Sequence, residues 1–178
     1  GRSAGPVGSA RIRNPRSPLR LMEGAPASNR AGRLPAARLL VAALWAGTLW
    51  ALGYIAAPAA FGVLGSVQAG DLVAVLLTRQ AWLSIACAVV LLVLLRVSTD
   101  LAPPRRRFLN LLVLAMLACT LVIFVGLQPA MAQLRELAGP GGVRASEYWT
   151  QFAVMHGVSQ LFYLVESLLG AWLIVRLR

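Results

Sequence analysis

Four long apolar runs dominate the chain, and each is long enough to cross the roughly 30 Å hydrocarbon core of a bilayer. Only 13% of the 178 residues are charged, against about 25% in a typical soluble domain. Peptide groups in lipid have no water to bond to, so an open chain must cross as helices. The expected architecture is therefore all-α: an integral membrane four-helix bundle with short connections. The expected spans cover residues 39–62, 71–96, 106–128 and 148–177. Residues 39–178 then form one transmembrane domain. Residues 1–38 are rich in Gly, Pro, Ser and Arg and read as a disordered cytoplasmic tail. A secretory signal peptide competes for the first apolar run. That run is long for such a peptide and contains Trp45, Trp50 and Tyr54, which favours a retained span.

Local breakers refine the boundaries. Pro58 is expected to end or kink span one, and Pro129 to stop span three. Asp71 is a candidate N-cap for span two. Gly139-Pro140-Gly141-Gly142 marks the longest connection, preceded by a short surface helix over residues 131–137.

The net charge is +11, and all 17 basic residues are arginine. These arginines flank apolar spans and do not form a basic face. They point to anionic lipid headgroups and membrane topology, not to nucleic acid. Eight precede span one, four lie between spans two and three, and two close the chain, leaving Arg79, Arg135 and Arg144 on the other side. The positive-inside rule places both termini in the cytoplasm, in a cell inner (plasma) membrane. A second copy of the chain is a candidate partner. Cys87 and Cys119 sit inside apolar runs and read as buried thiols. With one histidine and two distant cysteines, no metal site and no cofactor is expected.

Span four departs from plain hydrophobicity. It carries His156, Ser159, Gln160, Tyr163 and Glu166. At about 100° per residue, these share an arc of about 120° with Gly170. Val158, Leu161, Val165, Leu168 and Trp172 occupy the opposite face, fit for lipid. Polar groups at membrane depth are expensive and mark packing contacts or functional sites. The five are the candidate ligand-binding residues. Thr48, Trp50, Tyr54, Ser84, Asn110, Thr120 and Gln128 are their candidate partners, and Gly47, Gly53 and Ala57 permit close helix approach. No catalytic residues are assigned, because no nucleophile–base–acid order or phosphate loop is present.

Three segments carry a family resemblance. Gly47–Phe61 reads GTLWALGYIAAPAAF, Gln128–Arg135 reads QPAMAQLR, and Phe152–Ser159 reads FAVMHGVS. This order resembles a family of small four-span membrane proteins of unknown function similar to eukaryotic transmembrane protein 205, the domain of unknown function 4149 type. The resemblance spans about residues 39–177. It implies a four-helix membrane fold and singles out Pro58, Phe61, Pro129, Arg135, His156, Gly157 and Ser159. It implies no biochemical activity.

The expected function is a non-enzymatic multi-pass inner-membrane protein. Its polar stripe serves helix packing or binds a small ligand or ion. An oligomeric transporter or channel component is the alternative. A haem- or copper-linked protein is a third reading, resting on the lone His156.

Overall fold

The computed structural model describes Gly1 and residues 27–178, with side chains from Arg33 onward. The described residues are helical, with short turns and no strand. Four helices are long and apolar enough to cross a membrane: Arg33–Val63, Ser66–Val97, Pro103–Ala138 and Trp149–Leu177. Span one packs on spans two and four, and span three packs on the same two. Spans one and three are therefore diagonal in a four-membered ring.

The core is a column of large and small apolar side chains. Trp45, Leu49, Leu91, Leu95, Leu109, Met116 and Leu173 are fully enclosed, with Ala42, Ala46 and Ala88 between them. Small residues let the helix axes approach, which matters where lipid competes equally for apolar surface. At Gly170 an added Cβ would lie 3.1 Å from the Ala46 Cβ. That contact, not Gly47, sets the approach of spans one and four. The outer surface is largely oily, including Val158, Leu161, Val165, Leu168 and Trp172 as expected from the span-four wheel. So extensive an exposed apolar surface requires lipid around it. The protein is a multi-pass membrane protein.

Several boundaries differ from the sequence reading. Part of the expected tail, residues 2–26, lies outside the described residues. From Ala27 to Arg38, where disorder was expected, the chain is already helical and continuous with span one. The stretch holds four alanines and three arginines, residues that favour helix, and Pro35 lies within it. Span two starts at Ser66, so Asp71 lies inside the helix and is not its cap. The break is at Gly65, whose backbone is extended. At 32 residues the helix is about 48 Å long and overshoots the hydrocarbon core.

Neither proline ends its span. Span one passes through a π-helical turn, Ala51–Ala56, before Pro58. Span three passes through another, Val122–Leu127, before Pro129, and continues to Ala138. A proline in an α-helix clashes with the carbonyl four residues back and lacks the N–H that would bond it. Here those carbonyls belong to Tyr54 and Val125, both inside the wide turns. The residue before each proline bonds five back, Ala57 to Leu52 and Gln128 to Ile123. The extra residue in the turn removes the conflict, so the helix runs on. The expected separate surface helix at 131–137 is instead the end of span three.

The real break is the glycine-rich connection. Gly139 and Gly142 hold positive φ angles of 68° and 77°, which glycine adopts without strain.

One end of the bundle is tied by a buried arginine. Arg38 is 3% exposed. Its Nη1 donates to Ser98 Oγ at 2.6 Å and to Asp100 Oδ1 at 3.2 Å, and its Nη2 donates to Asp100 Oδ2 at 2.5 Å. Ser98 in turn donates to the Leu94 carbonyl. The fork joins the entry of span one to the exit of span two. Arg105 at the start of span three donates to the Arg176 carbonyl near the chain end, at 2.8 Å. The entry of span one, the connection between spans two and three, and the C-terminus thus lie at one end of the bundle, as an even number of crossings requires.

The Arg38 guanidinium hydrogen-bonded to Asp100 holds that carboxyl below its ordinary value of 3.8. A depressed folded value contributes stability that is complete above the unfolded value and is lost as pH falls through the folded one. Asp100→Asn is expected to lower stability at neutral pH by about 1 kcal/mol, since the carboxylate is partly exposed. It should also flatten the acid limb of the melting temperature against pH. Thermal unfolding of the detergent-solubilised protein over an acid-to-neutral pH series reads both effects; an unchanged acid limb would contradict the coupling.

Candidate functional site

Halfway along the bundle, polar side chains from all four spans converge. Glu166 of span four is 2% exposed. The Thr120 hydroxyl of span three donates to its Oε1 at 2.7 Å. Across the ring, Gln80 of span two extends its amide nitrogen to Thr48 Oγ1 of span one at 3.2 Å and to Ser84 Oγ at 3.3 Å. Between these groups is a cavity of about 20 Å³, bordered by Gln80, Ser84, Thr120, Gln128, Tyr163 and Glu166 and otherwise by apolar side chains such as Leu77 and Phe124. That volume holds one water or one ion of similar size.

Tyr163 ties the site to the wide turn of span one. Its hydroxyl donates to the Leu49 carbonyl at 2.7 Å. Gly53 lies against the same hydroxyl, which a Cβ there would approach to 3.0 Å. Leu49 and Gly53 are four residues apart, the pair a regular α-helix would bond directly. The tyrosine enters the ladder where it opens, a recognised cause of helix distortion. Its ring also packs edge-on to Tyr54, with centroids 6.4 Å apart. Gly53 permits this approach, because a Cβ there would collide with the Tyr163 ring.

The five candidate residues divide into two groups. Ser159, Tyr163 and Glu166 are buried; His156 and Gln160 are exposed. The buried face of span four runs through Ser159, Tyr163, Glu166, Ser167, Gly170 and Leu173. On the same wheel it covers about 120° but is turned by about 20° from the expected arc. The turn brings Leu173 in and leaves Gln160 out. The Trp50 indole donates to the Ser167 carbonyl at 3.4 Å, close against this face. Gln80 and Ser167 have no place in the sequence reading of the stripe. Gln80 was legible as a polar residue preceding the apolar core of span two. Ser167 falls within the wheel arc and needed only to be counted.

His156 lies apart from the cavity. Its ring stacks on Phe152 with centroids 5.9 Å apart and planes 8° apart, and the Arg135 guanidinium covers the Phe152 ring at 5.7 Å. Two of the resembling segments therefore meet in one Arg135–Phe152–His156 column. Ser159 donates to the His156 main-chain carbonyl at 2.7 Å, not to its imidazole. Pro58, Phe61, Pro129 and Gly157 are exposed and do not line the cavity. Among the described residues, no three His, Cys, Asp or Glu side chains cluster to hold a metal.

Removing the Tyr163 hydroxyl by Tyr163→Phe is expected to cost about 1 kcal/mol, the scale of an interhelical bond in a membrane. Gly53→Ala should destabilise more, because its Cβ enters the ring. The same glycine change in a Tyr163→Leu background should cost much less. A double-mutant cycle on detergent unfolding measures the difference, and simple additivity would refute the contact as its cause.

No curated protein and no solved structure matches the chain. A family model, described as a domain of unknown function (DUF4149), matches residues 40–139. The matched range holds the first three spans, with Pro58, Phe61, Pro129 and Arg135. His156, Gly157, Ser159 and the Glu166 side of the cavity lie beyond it. The match covers more than half of the chain and takes in both proline-bearing spans, and the protein belongs to the DUF4149 family.

Proposed function

We propose that this is a non-enzymatic multi-pass protein of the inner (plasma) membrane, both termini cytoplasmic, that binds a proton or small monovalent cation at the Glu166 cluster. One observation carries the reading: Glu166 is enclosed at mid-span beside a water-sized cavity whose wall is largely apolar but includes Gln80, Ser84, Thr120 and Gln128. A carboxyl at that depth needs a compensating positive charge or a proton. Among the described residues the one ion pair is Arg38–Asp100, and it does not include Glu166. Hydroxyl and amide oxygens of Ser84, Thr120, Gln80 and Gln128 are the ligand type that replaces the hydration shell of an alkali cation. The arginine distribution supports the cytoplasmic placement of the termini. The commitment of Ser159 to a backbone carbonyl supports the non-enzymatic reading, since no activated hydroxyl results.

Thermal unfolding of the purified protein in sodium, potassium, lithium and choline chloride, at several pH values, tests the site. The wild type is expected to melt several degrees higher in one alkali cation, or to respond steeply to pH. Glu166→Gln keeps an acceptor for Thr120 and should lose the response while remaining folded. Equal responses in both proteins would reduce the cluster to helix packing.

A second reading concerns assembly. His156 and Gln160 are one helical turn apart and both exposed. An amide facing lipid is costly, and the same amide from a second copy would satisfy it. A homo-oligomer joined along this face is also what an oligomeric transporter or channel would need. Light scattering of the wild type should give a multiple of the monomer mass and Gln160→Leu a smaller one; an unchanged mass would remove this face from the interface.

A further inference from the structure

We infer that the groove between the start of span three and the end of span four is a binding site for the phosphate of an anionic glycerophospholipid. The groove measures about 480 Å³ and is lined by Arg105, Phe108, Leu109, Val175 and Arg176. It is separate from the Glu166 cavity and independent of its occupancy.

Three observations place an anion there. Both guanidinium groups are held at the groove by contacts other than carboxylates. Arg105 is anchored through its Nη2 on the Arg176 carbonyl at 2.8 Å. Arg176 lies over the rings of Phe108 and Trp172, 5.5 Å and 5.9 Å from their centroids. Neither takes part in an ion pair among the described residues. Two like charges held at one groove repel each other, and a bridging anion relieves that repulsion. Guanidinium groups also match phosphate oxygens in geometry.

The floor then selects the kind of anion. Phe108, Leu109 and Val175 are apolar, and Val175 is 67% exposed. The apolar surface continues along span four through Trp172 and Leu168. A ligand with a charged head and hydrocarbon tails fills both parts, whereas a free phosphate fills only the first. Basic pockets between membrane helices recognise anionic lipid headgroups in this way. Under the topology proposed above, the groove faces the cytoplasmic leaflet.

The test uses the full-length protein purified in a neutral detergent. Its melting temperature is followed on addition of phosphatidylglycerol, phosphatidylcholine or inorganic phosphate. Phosphatidylglycerol is expected to raise it by several degrees, and the other two to have little effect. The double variant Arg105→Gln/Arg176→Gln should lose most of the shift. The control Arg79→Gln/Arg144→Gln, altered elsewhere, should keep it. Should the double variant fail to fold, Val175→Trp fills the groove while leaving both charges, and it should reduce the shift as well. A shift that survives groove filling, or is equal with phosphatidylcholine, overturns the proposal. A full shift with inorganic phosphate alone identifies a soluble anion and overturns the lipid assignment.

Discussion

Lipid offers no hydrogen-bond partner, and nearly every local feature of this protein follows from that. A proline in a soluble helix can break it and let water satisfy the loose ends. In a bilayer the loose ends have nowhere to go. Spans one and three carry Pro58 and Pro129 in their second halves, and each helix is preserved there by a six-residue wide turn just before the proline. The helices therefore reach across without interruption, and the four-membered ring can close. The same constraint acts where a side chain reaches the backbone. The Leu49 carbonyl at the opening of the first wide turn is bonded by the Tyr163 hydroxyl from another span.

Polar groups in the interior obey the same rule by pairing across helices. Thr120 serves Glu166, and Gln80 serves Thr48 and Ser84. Each bond is modest alone, about 1 kcal/mol in a membrane. Together they fix the rotation of all four helices about one level of the bundle. At one end Arg38, Ser98 and Asp100 do this with a charge-assisted fork, which is stronger and more directional. The bundle is thus oily on the outside, close-packed along its axis, and pinned by hydrogen bonds at two depths.

Much of this was legible in the sequence. Apolar run length gives the number of spans, and helical periodicity gives the lipid face of span four. The partnership of Thr120 with the stripe, and the proximity of Trp50 and Tyr54, follow from where polar residues interrupt apolar runs. What was not legible has a common physical cause. Pro129 was read as a stop and Pro58 as an end or a kink because α-geometry was assumed, whereas a wide turn removes the clash. Arg38 was counted as a topology signal because arginine is rarely buried, and its partner lies 62 residues away. His156 shares the wheel position of the stripe, but it lies near the start of span four beside Phe152, away from the cavity. The ten-residue separation of His156 and Glu166, about 15 Å along the helix, already keeps the two apart in the sequence; the stacking on Phe152 is what the sequence did not show.

The wide turns also bear on how these helices are numbered in space. Each accommodates one residue beyond what an α turn would hold. Everything after it is consequently rotated by about 100° relative to an uninterrupted helix. Spans one and three are each two shorter rods joined out of phase, and each rod presents its faces from its own origin. Spans two and four carry no such joint. The bundle therefore alternates, around its ring, between rods of one phase and rods of two, and the phase break of span one lies where Tyr163 of span four enters.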